Sequence, residues 1–188
     1  MKILLQSIAI VSILFSCSIS FHATFKSIKC SSSSLSIYPN YSCYIKPYKK
    51  NIATMSILLH LRKKTYKCNI DITVLFKQKI SAYYRTIVNT TVDLCEFLSG
   101  SDKNKLLKLF YDVVIEYVPK ELNHPCPFEG TINIYNISFA NANLTDLQKL
   151  NLPDGFFKGI VRYYNKWDQN IISFQLVVEI TDKKNKDF

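Results

Sequence analysis

Apolar and polar residues alternate along much of the chain. The alternation is clearest in five segments, 55–61, 66–76, 131–137, 157–164 and 172–180. Successive side chains of a strand point to opposite faces, so this pattern is typical of strands with one face on a core and one in water. The run Arg62-Lys63-Lys64 and the dipeptide Asp154-Gly155 are turn signals between such segments. The pattern predicts a mainly β protein with a sandwich or a barrel.

One segment departs from the alternation. Between Asp102 and Tyr117 the apolar residues recur at intervals of three and four, which predicts a helix with one buried stripe: Leu106, Leu109, Phe110, Val113 and Tyr117. Ser99 or Ser101 can cap the start of this helix, and Pro119 can end it. We therefore expect a single α-helix inserted into the sheet protein.

The N-terminal residues are typical of a secretory signal. Lys2 precedes an apolar stretch from Ile3 to Phe15, and small serines end the segment. A membrane anchor is the alternative, but about 13 mostly apolar residues are fewer than the roughly 20 that span a bilayer. We expect a signal peptide over residues 1–20, one domain over 21–182 and a basic tail over 183–188. The protein is then secreted and extracellular, and it does not span a membrane.

Composition narrows the possible functions. The chain has 188 residues, 48% of them hydrophobic, and a formal charge of +10. Its four glycines are too widely spaced for a phosphate-binding loop, which argues against a nucleotide-dependent enzyme. A secreted basic protein rarely meets nucleic acid. We therefore assign the positive charge to solubility, to an anionic surface, or to a rim around an acidic ligand.

Six cysteines become five when Cys17 leaves with the signal peptide. In an oxidising compartment cysteines are expected in disulfides, so one is left over. Cys68 lies on the apolar face of the 66–76 segment and is the best candidate for the cysteine without a disulfide partner. A small buried thiol is one interpretation and an intermolecular bridge is the other. No pair has Cys-x-x-Cys spacing and no His-Glu-x-x-His occurs, so we expect neither a metal site nor a cofactor.

Glycan acceptor sequences support the same compartment. The chain contains four Asn-x-Ser/Thr sequons, which predict glycosylation at Asn40, Asn89, Asn136 and Asn143. The pattern is common by chance, but four sequons together with a signal segment indicate a secreted glycoprotein.

Three blocks resemble a known family. They are Asn89-Thr-Thr-Val-Asp-Leu-Cys-Glu-Phe-Leu98, Leu122-Asn-His-Pro-Cys-Pro-Phe-Glu-Gly130, and Leu152-Pro-Asp-Gly155 followed by Phe157. In this order they resemble a large insect family of secreted proteins that carry a domain of unknown function. That family is similar to the ML lipid-recognition superfamily, and some of its members are gustatory and pheromone-response proteins. The segment 83–87 lacks a proline that is common in the family, and Cys68 is additional.

The resemblance implies an immunoglobulin-like, ML-like β-sandwich whose two sheets part to hold an apolar ligand. We expect alternate strand residues to line that space: Ile70, Ile72, Val74, Phe76, Phe174, Leu176 and Val178. A closed core explains the same alternation. The function that the resemblance implies is non-enzymatic binding of a lipid or hydrophobic semiochemical, in taste or pheromone response, with presentation to a membrane receptor or channel. The alternative is a glycosylated extracellular accessory protein that acts through its surface without a ligand.

For the remaining cysteines we predict disulfides between Cys95 and Cys126, which flank the predicted helix, and between Cys30 and Cys43. Asp93 and His124 are the candidates for catalytic chemistry. No partner base or nucleophile lies at a diagnostic spacing from either residue, so we interpret both as structural. A basic turn can meet an acidic headgroup or simply be solvated: Arg62, Lys63, Lys64 and Lys67.

Overall fold

The computed structural model describes residues 21–32, 41–49, 52–101, 104–115, 123–138, 152–164 and 170–182. These residues form eight strands and two helices. The strands are β1 (Phe21–Ser31), β2 (Ser42–Lys49), β3 (Ile52–Thr65), β4 (Asn69–Lys77), β5 (Arg85–Asp93), β6 (Phe128–Ile137), β7 (Gly155–Tyr164) and β8 (Asn170–Asp182). The helices are α1 (Leu94–Leu98) and α2 (Lys105–Val114).

Two antiparallel sheets make up the fold. One has five strands in the order β1-β8-β7-β4-β5, and the other has three in the order β2-β3-β6. All paired strands run antiparallel. The prediction of a mainly β, two-layer fold is confirmed.

Three strands carry weaker alternation than the five predicted segments. β1 has an irregularity between Phe25 and Ser27, which shifts the faces of its residues. β2 contains Pro47, which lacks the N–H that a ladder uses, and β2 lies at a sheet edge. β5 is also an edge strand and is rich in polar residues. Edge strands bury less of their surface, so their apolar signal is weaker.

The two predicted turns differ in outcome. The expectation of a turn at Arg62-Lys63-Lys64 is wrong, because β3 continues to Thr65 through an irregularity in its pairing with β6. The chain bends only after Thr65. Asp154-Gly155 does lie at an element boundary, where Gly155 begins β7 with φ 151°. A Cβ at Gly155 would lie 2.5 Å from the carbonyl oxygen of Lys77, so this close approach of strands requires glycine.

Helix α2 occupies the segment in which the sequence predicts a helix, but its cap differs. Asn104 is the N-cap, and its side-chain oxygen accepts a hydrogen bond from the Leu107 amide at 3.0 Å. The prediction of Ser99 or Ser101 is wrong because Ser99 instead ends α1, where its hydroxyl donates to the Glu96 carbonyl at 2.8 Å. Pro119 lies outside the described residues.

Both predicted disulfides are present. Cys30–Cys43 joins β1 of one sheet to β2 of the other, and Cys95–Cys126 joins α1 to the segment before β6. Cys68 is a free, buried thiol, which agrees with the interpretation of this residue as a small buried thiol. The expected signal peptide, Asn40, Asn143 and the tail over 183–188 lie outside the described residues. In the part of the chain that the structure describes, no helix is long and apolar enough to cross a bilayer.

Candidate ligand cavity

A cavity of about 400 Å³ lies between the two sheets. Strands β3 and β6 line it from one side, and β7 and β8 line it from the other. Leu94 and Leu98 of α1 and Tyr111 of α2 complete the wall. The other lining side chains are mostly aliphatic or aromatic: Ile28, Met55, Ile57, Leu59, Leu61, Phe128, Ile132, Ile134, Val161, Tyr163, Ile171, Ile172, Phe174 and Leu176. None of the lining residues that the structure describes is charged.

The apolar core is divided into two clusters that both contribute to this wall. One centres on Leu59, Phe128 and Ile172, and the other on Phe25 and Met55. Among the described side chains none is less than 2% exposed. A closed sandwich core of this size ordinarily packs at crystal-like density. The cavity between the two layers is lined by residues of both clusters.

A glycine enlarges the cavity from the β7 side. Gly159 lines the cavity, and a Cβ placed on it would meet no atom within 4 Å. Its neighbours in register are Leu176 on β8 and Val74 on β4, which point to the same face of the sheet. Glycine weakens a strand interior and often marks a place where a ligand or backbone approaches closely. The missing side chain at Gly159 leaves apolar space in the middle of a central strand.

The few polar groups of the cavity lie at one end. We call this the helix end; it is where β3 ends, β4 begins, and Leu94, Leu98 and Tyr111 complete the wall. Its polar lining residues are Thr65, Cys68, Tyr111 and Tyr163. Burial, with a smaller contribution from Asp93, raises the pKa of Cys68 to about 12. Burial also raises the pKa of Tyr163. These groups are therefore neutral at physiological pH, and they offer hydrogen bonds without charge.

The structure separates the seven residues predicted to line a ligand space. Phe174 and Leu176 line the cavity. Val178, two residues further along the same face, packs against the cluster that contains Phe25 and Met55. The other four lie in β4 and are not in the cavity wall, contrary to expectation: Ile70, Ile72, Val74 and Phe76.

Position across the sheet explains this correction. Ile70, Ile72 and Val74 pair with Tyr163, Val161 and Gly159, so they share the inward face. The cavity, however, lies between β7–β8 and the three-stranded sheet, one strand away. Phe76 is buried against the ring of Phe157, with centroids 5.0 Å apart. Alternation identifies the face of a strand but not its place in the sheet.

The lining residues that the prediction omitted come from two sources. Residues of β3 and β6 alternate clearly in the sequence, and that periodicity could have placed Ile132 and Ile134 on the inward face. Leu94, Leu98 and Tyr111 lie on helices beside the disulfide Cys95–Cys126. Their position depends on how the helices pack on the sandwich. The periodicity of the sequence does not predict that packing.

Asp93 and His124 have structural contacts in place of a catalytic arrangement. One carboxylate oxygen of Asp93 caps α1 by accepting hydrogen bonds from the amides of Cys95 at 2.9 Å and Glu96 at 3.2 Å. His124 is exposed, its Nδ1 contacts the carbonyl oxygen of Pro125, and its ring lies 5.4 Å from that of Phe128. Within the described residues no group of three or more His, Cys, Asp or Glu is arranged to hold a metal ion.

The basic residues Arg62, Lys63, Lys64 and Lys67 lie around the end of β3, at the helix end of the cavity. Their side chains are exposed, Lys64 pairs with Glu129 at 3.2 Å, and Lys67 pairs with Asp93 at 3.8 Å. Thr65 lies between these lysines and lines the cavity. Exposed ion pairs of this kind contribute little to stability. The lysine ammonium groups are therefore solvated, and they lie close to the helix end.

Two of the four sequons fall within the described residues. Asn89 on β5 and Asn136 near the end of β6 are both exposed. Their side-chain oxygens accept hydrogen bonds from Thr73 at 3.1 Å and Thr54 at 3.4 Å.

Comparison with known families agrees with the three sequence blocks. Residues 70–159 match the family described as protein of unknown function (DUF1091). All three blocks lie inside this range, which confirms the resemblance for just under half of the chain. No curated protein matches the chain.

Two solved structures are similar to this chain. One is chicken MD-1 complexed with lipid IVa, with 11% identity, a TM-score of 0.40, and coverage of 86% of this chain and 97% of that one. The other is a Niemann-Pick type C2 protein from the Japanese carpenter ant, with 13% identity, a TM-score of 0.28, and coverage of 86% and 93%.

Proposed function

We propose that the protein is a secreted, non-enzymatic carrier that encloses a lipid or a hydrophobic semiochemical. The apolar cavity between the sheets, about 400 Å³ in volume, carries this proposal. Its size falls within the roughly 300–1,000 Å³ of small-molecule sites. An empty apolar space of this kind costs stability, because its walls lose dispersion contacts. A hydrocarbon guest recovers those contacts and leaves water at the same time.

The distribution of polar groups supports one orientation of the guest. A hydrocarbon chain fits against the purely apolar region around Ile28, Met55 and Ile134. A hydroxyl, ester or acid group fits at the helix end, beside Tyr111 and Tyr163. A buried polar group needs a hydrogen-bond partner, and the neutral groups of the helix end supply one.

Several features support an extracellular role for the carrier. The two disulfides are typical of oxidising compartments, and Asn89 and Asn136 are exposed sequons for glycosylation. The sequence blocks of the insect family support a place in taste or pheromone response, with delivery to a membrane receptor or channel. The site of transcription tests this role: expression in sensory bristles supports it, and expression confined to fat body or reproductive glands contradicts it.

The alternative function is that of a glycosylated accessory protein that acts through its surface. Exposed apolar side chains such as Ile80 and Tyr83 favour a surface contact of some kind. A protein with this function needs no guest, so ligand uptake distinguishes it from the carrier.

The direct test uses the full chain secreted from insect cells. Native mass spectrometry is expected to find a bound hydrophobic molecule, and the delipidated protein is expected to take up a fluorescent fatty acid at one saturable site. Protein that is empty as isolated and shows no saturable uptake contradicts carriage. That outcome leaves the accessory function.

A further inference from the structure

The hairpin between β4 and β5 exposes apolar side chains at its tip. We call residues 78–84 the hairpin tip. Ile80 is 95% exposed and Tyr83 is 85% exposed. The tip is nevertheless ordered by its own hydrogen bonds, from the Ser81 amide to the Gln78 carbonyl at 3.0 Å and from the Ser81 hydroxyl to the Tyr83 carbonyl at 3.1 Å. Single exposed apolar residues are common on proteins, so exposure alone assigns no partner.

Basic side chains surround the hairpin tip and are held there by aromatic rings. The ammonium groups of Lys77 and Lys158 lie 5.2 and 5.7 Å from the centroid of the Tyr84 ring. The guanidinium of Arg85 lies 5.5 Å from the centroid of Phe76. These cation–π contacts fix the positions of the cations while leaving them accessible to an anion.

An acidic residue, Glu179, also lies beside the tip. Glu179 on β8 pairs with Lys26 at 2.6 Å and with Lys79 at 3.5 Å. Of the acidic side chains that the structure describes, Glu179 and Asp154 lie at this end of the five-stranded sheet. Five basic residues lie at the same end: Lys26, Lys77, Lys79, Arg85 and Lys158. The tip therefore combines a positive charge with two protruding apolar side chains.

We propose that the hairpin tip docks the protein on the surface of an anionic phospholipid bilayer. Ile80 enters the boundary between headgroups and acyl chains, and Tyr83 lies at the interface, where amphipathic aromatic rings are favoured. Lys79, Lys77 and Arg85 meet lipid phosphates and carboxylates. Each basic residue close to such a surface raises the affinity about fivefold at physiological ionic strength.

The chemistry of the tip fits a bilayer better than other anionic partners. An acidic glycan or a nucleic acid offers charge but no apolar phase for Ile80. A stable protein partner needs a contact of about 800 Å² on each side, whereas two side chains on one hairpin form a narrow projection. A bilayer supplies both the negative surface and the apolar phase, and it requires no complementary pocket.

The docking surface is separate from the cavity's helix end. The tip follows the last residue of β4, whereas Cys68 precedes the first residue, so the two are about 30 Å apart along nine strand residues. Docking therefore leaves the helix end directed away from the bilayer. The inference does not depend on the proposed function, because neither requires the other.

Vesicle sedimentation of the full chain tests the inference. Wild-type protein is expected to bind phosphatidylcholine vesicles containing about one third phosphatidylserine, and to bind pure phosphatidylcholine far more weakly. Lys79→Gln is expected to lower affinity for the anionic vesicles about fivefold. The double variant Ile80→Asn, Tyr83→Ser is expected to lower it about tenfold or more, because the apolar insertion is lost.

Matched controls lie at the other end of the sandwich. Tyr66 is also an exposed tyrosine, and Lys63 is an exposed lysine near the end of β3. Tyr66→Ser and Lys63→Gln are expected to change vesicle affinity less than about twofold, because their side chains do not reach a docked bilayer. The proposal is overturned if wild-type protein does not bind anionic vesicles, or if the control variants lose as much affinity as the tip variants. Circular dichroism of each variant establishes that these exposed substitutions leave the fold intact.

Discussion

Gly159 on β7 pairs in register with Leu176 on β8, and the two residues face the same cavity. Leu176 extends a side chain into that space and Gly159 extends none. A Cβ on Gly159 would meet no atom within 4 Å. Glycine inside a strand costs roughly 0.5–1 kcal/mol relative to alanine. The chain thus has a destabilising residue at a position where it opens an apolar void.

Filling this void tests whether the cavity holds a guest. The variant Gly159→Phe places an aromatic ring in the empty space. It also removes the backbone flexibility of glycine from the strand. We expect affinity for a fluorescent fatty acid to fall about tenfold or more, since the guest and the ring compete for one volume. We expect the free energy of unfolding in urea to rise by about 1–2 kcal/mol, because apolar area is buried.

The matched control changes the neighbouring residue on the opposite face. Ile160 pairs with Thr73 and Gln175, which lie on the outer face of the sheet. Ile160→Phe therefore adds a ring to the same strand without entering the cavity, and we expect fatty-acid affinity to stay within about twofold of wild type. Uptake by Gly159→Phe at wild-type affinity, in protein that remains folded, contradicts a guest in this cavity.

The two register neighbours of Gly159, Val74 and Leu176, illustrate how far sequence predicts this site. Alternation placed Val74 and Leu176 on the inward face correctly, because the period of a strand is a local property. It did not reveal that Leu176 lines the cavity while Val74 lies one strand away. That distinction depends on the strand order β8-β7-β4, which is set by contacts between residues far apart in the chain.

The helical region shows a second limit. The three-to-four spacing predicted α2, but α1 has only five residues and little periodicity to display. Capping separates the two helices: Asp93 caps α1, Asn104 caps α2, and Ser99 ends α1. A sequence with several Asp, Asn and Ser residues offers several caps, and tertiary packing selects among them.

The orientation of the guest can be tested at Tyr163. Its ring lies edge-on to Phe174 in the cavity wall, with centroids 5.7 Å apart, and its phenol is neutral. Tyr163→Phe keeps the ring and removes the hydroxyl. We expect affinity for a fluorescent fatty acid to fall about three- to tenfold, as for one lost hydrogen bond. Affinity for a fluorescent hydrocarbon without a polar group is expected to stay unchanged.

A second tyrosine serves as the control for that measurement. Tyr66 is exposed and does not line the cavity. Tyr66→Phe is therefore expected to bind both probes as the wild type does. Equal losses for both probes in Tyr163→Phe indicate general damage to the cavity and contradict the proposed orientation.

The disulfide Cys95–Cys126 is expected to stabilise the helix end. It spans 31 residues, and closing a loop of that length contributes about 3–4 kcal/mol in the chain-entropy estimate. The double variant Cys95→Ala, Cys126→Ala should lose about that free energy of unfolding in urea. Removing Cys30–Cys43, which spans 13 residues, should cost less, because its loop is shorter. The reverse order contradicts the loop-length explanation.

The free thiol of Cys68 predicts a pH dependence of stability. Its pKa is about 12 in the folded protein, against 9.0 for an ordinary cysteine. Above about pH 9 the unfolded chain loses a proton that the folded chain keeps, so stability falls as pH rises. Cys68→Ala removes this titration and should flatten the decline between about pH 9 and 11. We compare slopes with pH, because the lost sulfur also changes stability at every pH.

Chemical labelling checks the same property independently. A thiolate is the reactive form of cysteine, and a buried thiol with a raised pKa has little of it. At about pH 8 an aromatic disulfide reagent should leave Cys68 unmodified in native protein and modify it after denaturation in urea. Rapid labelling of the native protein contradicts the burial of this thiol.

Glu179 predicts the opposite dependence at acid pH. Hydrogen bonding and charge attraction from Lys26, with a further contribution from Lys79, hold the pKa of Glu179 below its ordinary value of 4.5. Its stabilising contribution is therefore fully present above about pH 4.5 and is lost as pH falls through the lowered pKa. Glu179→Gln should reduce stability at about pH 7 and should flatten the acid-side decline measured by urea unfolding. Lys26→Met should flatten the same decline, because it removes the largest cause of the lowered pKa; an unchanged slope in both variants contradicts this assignment.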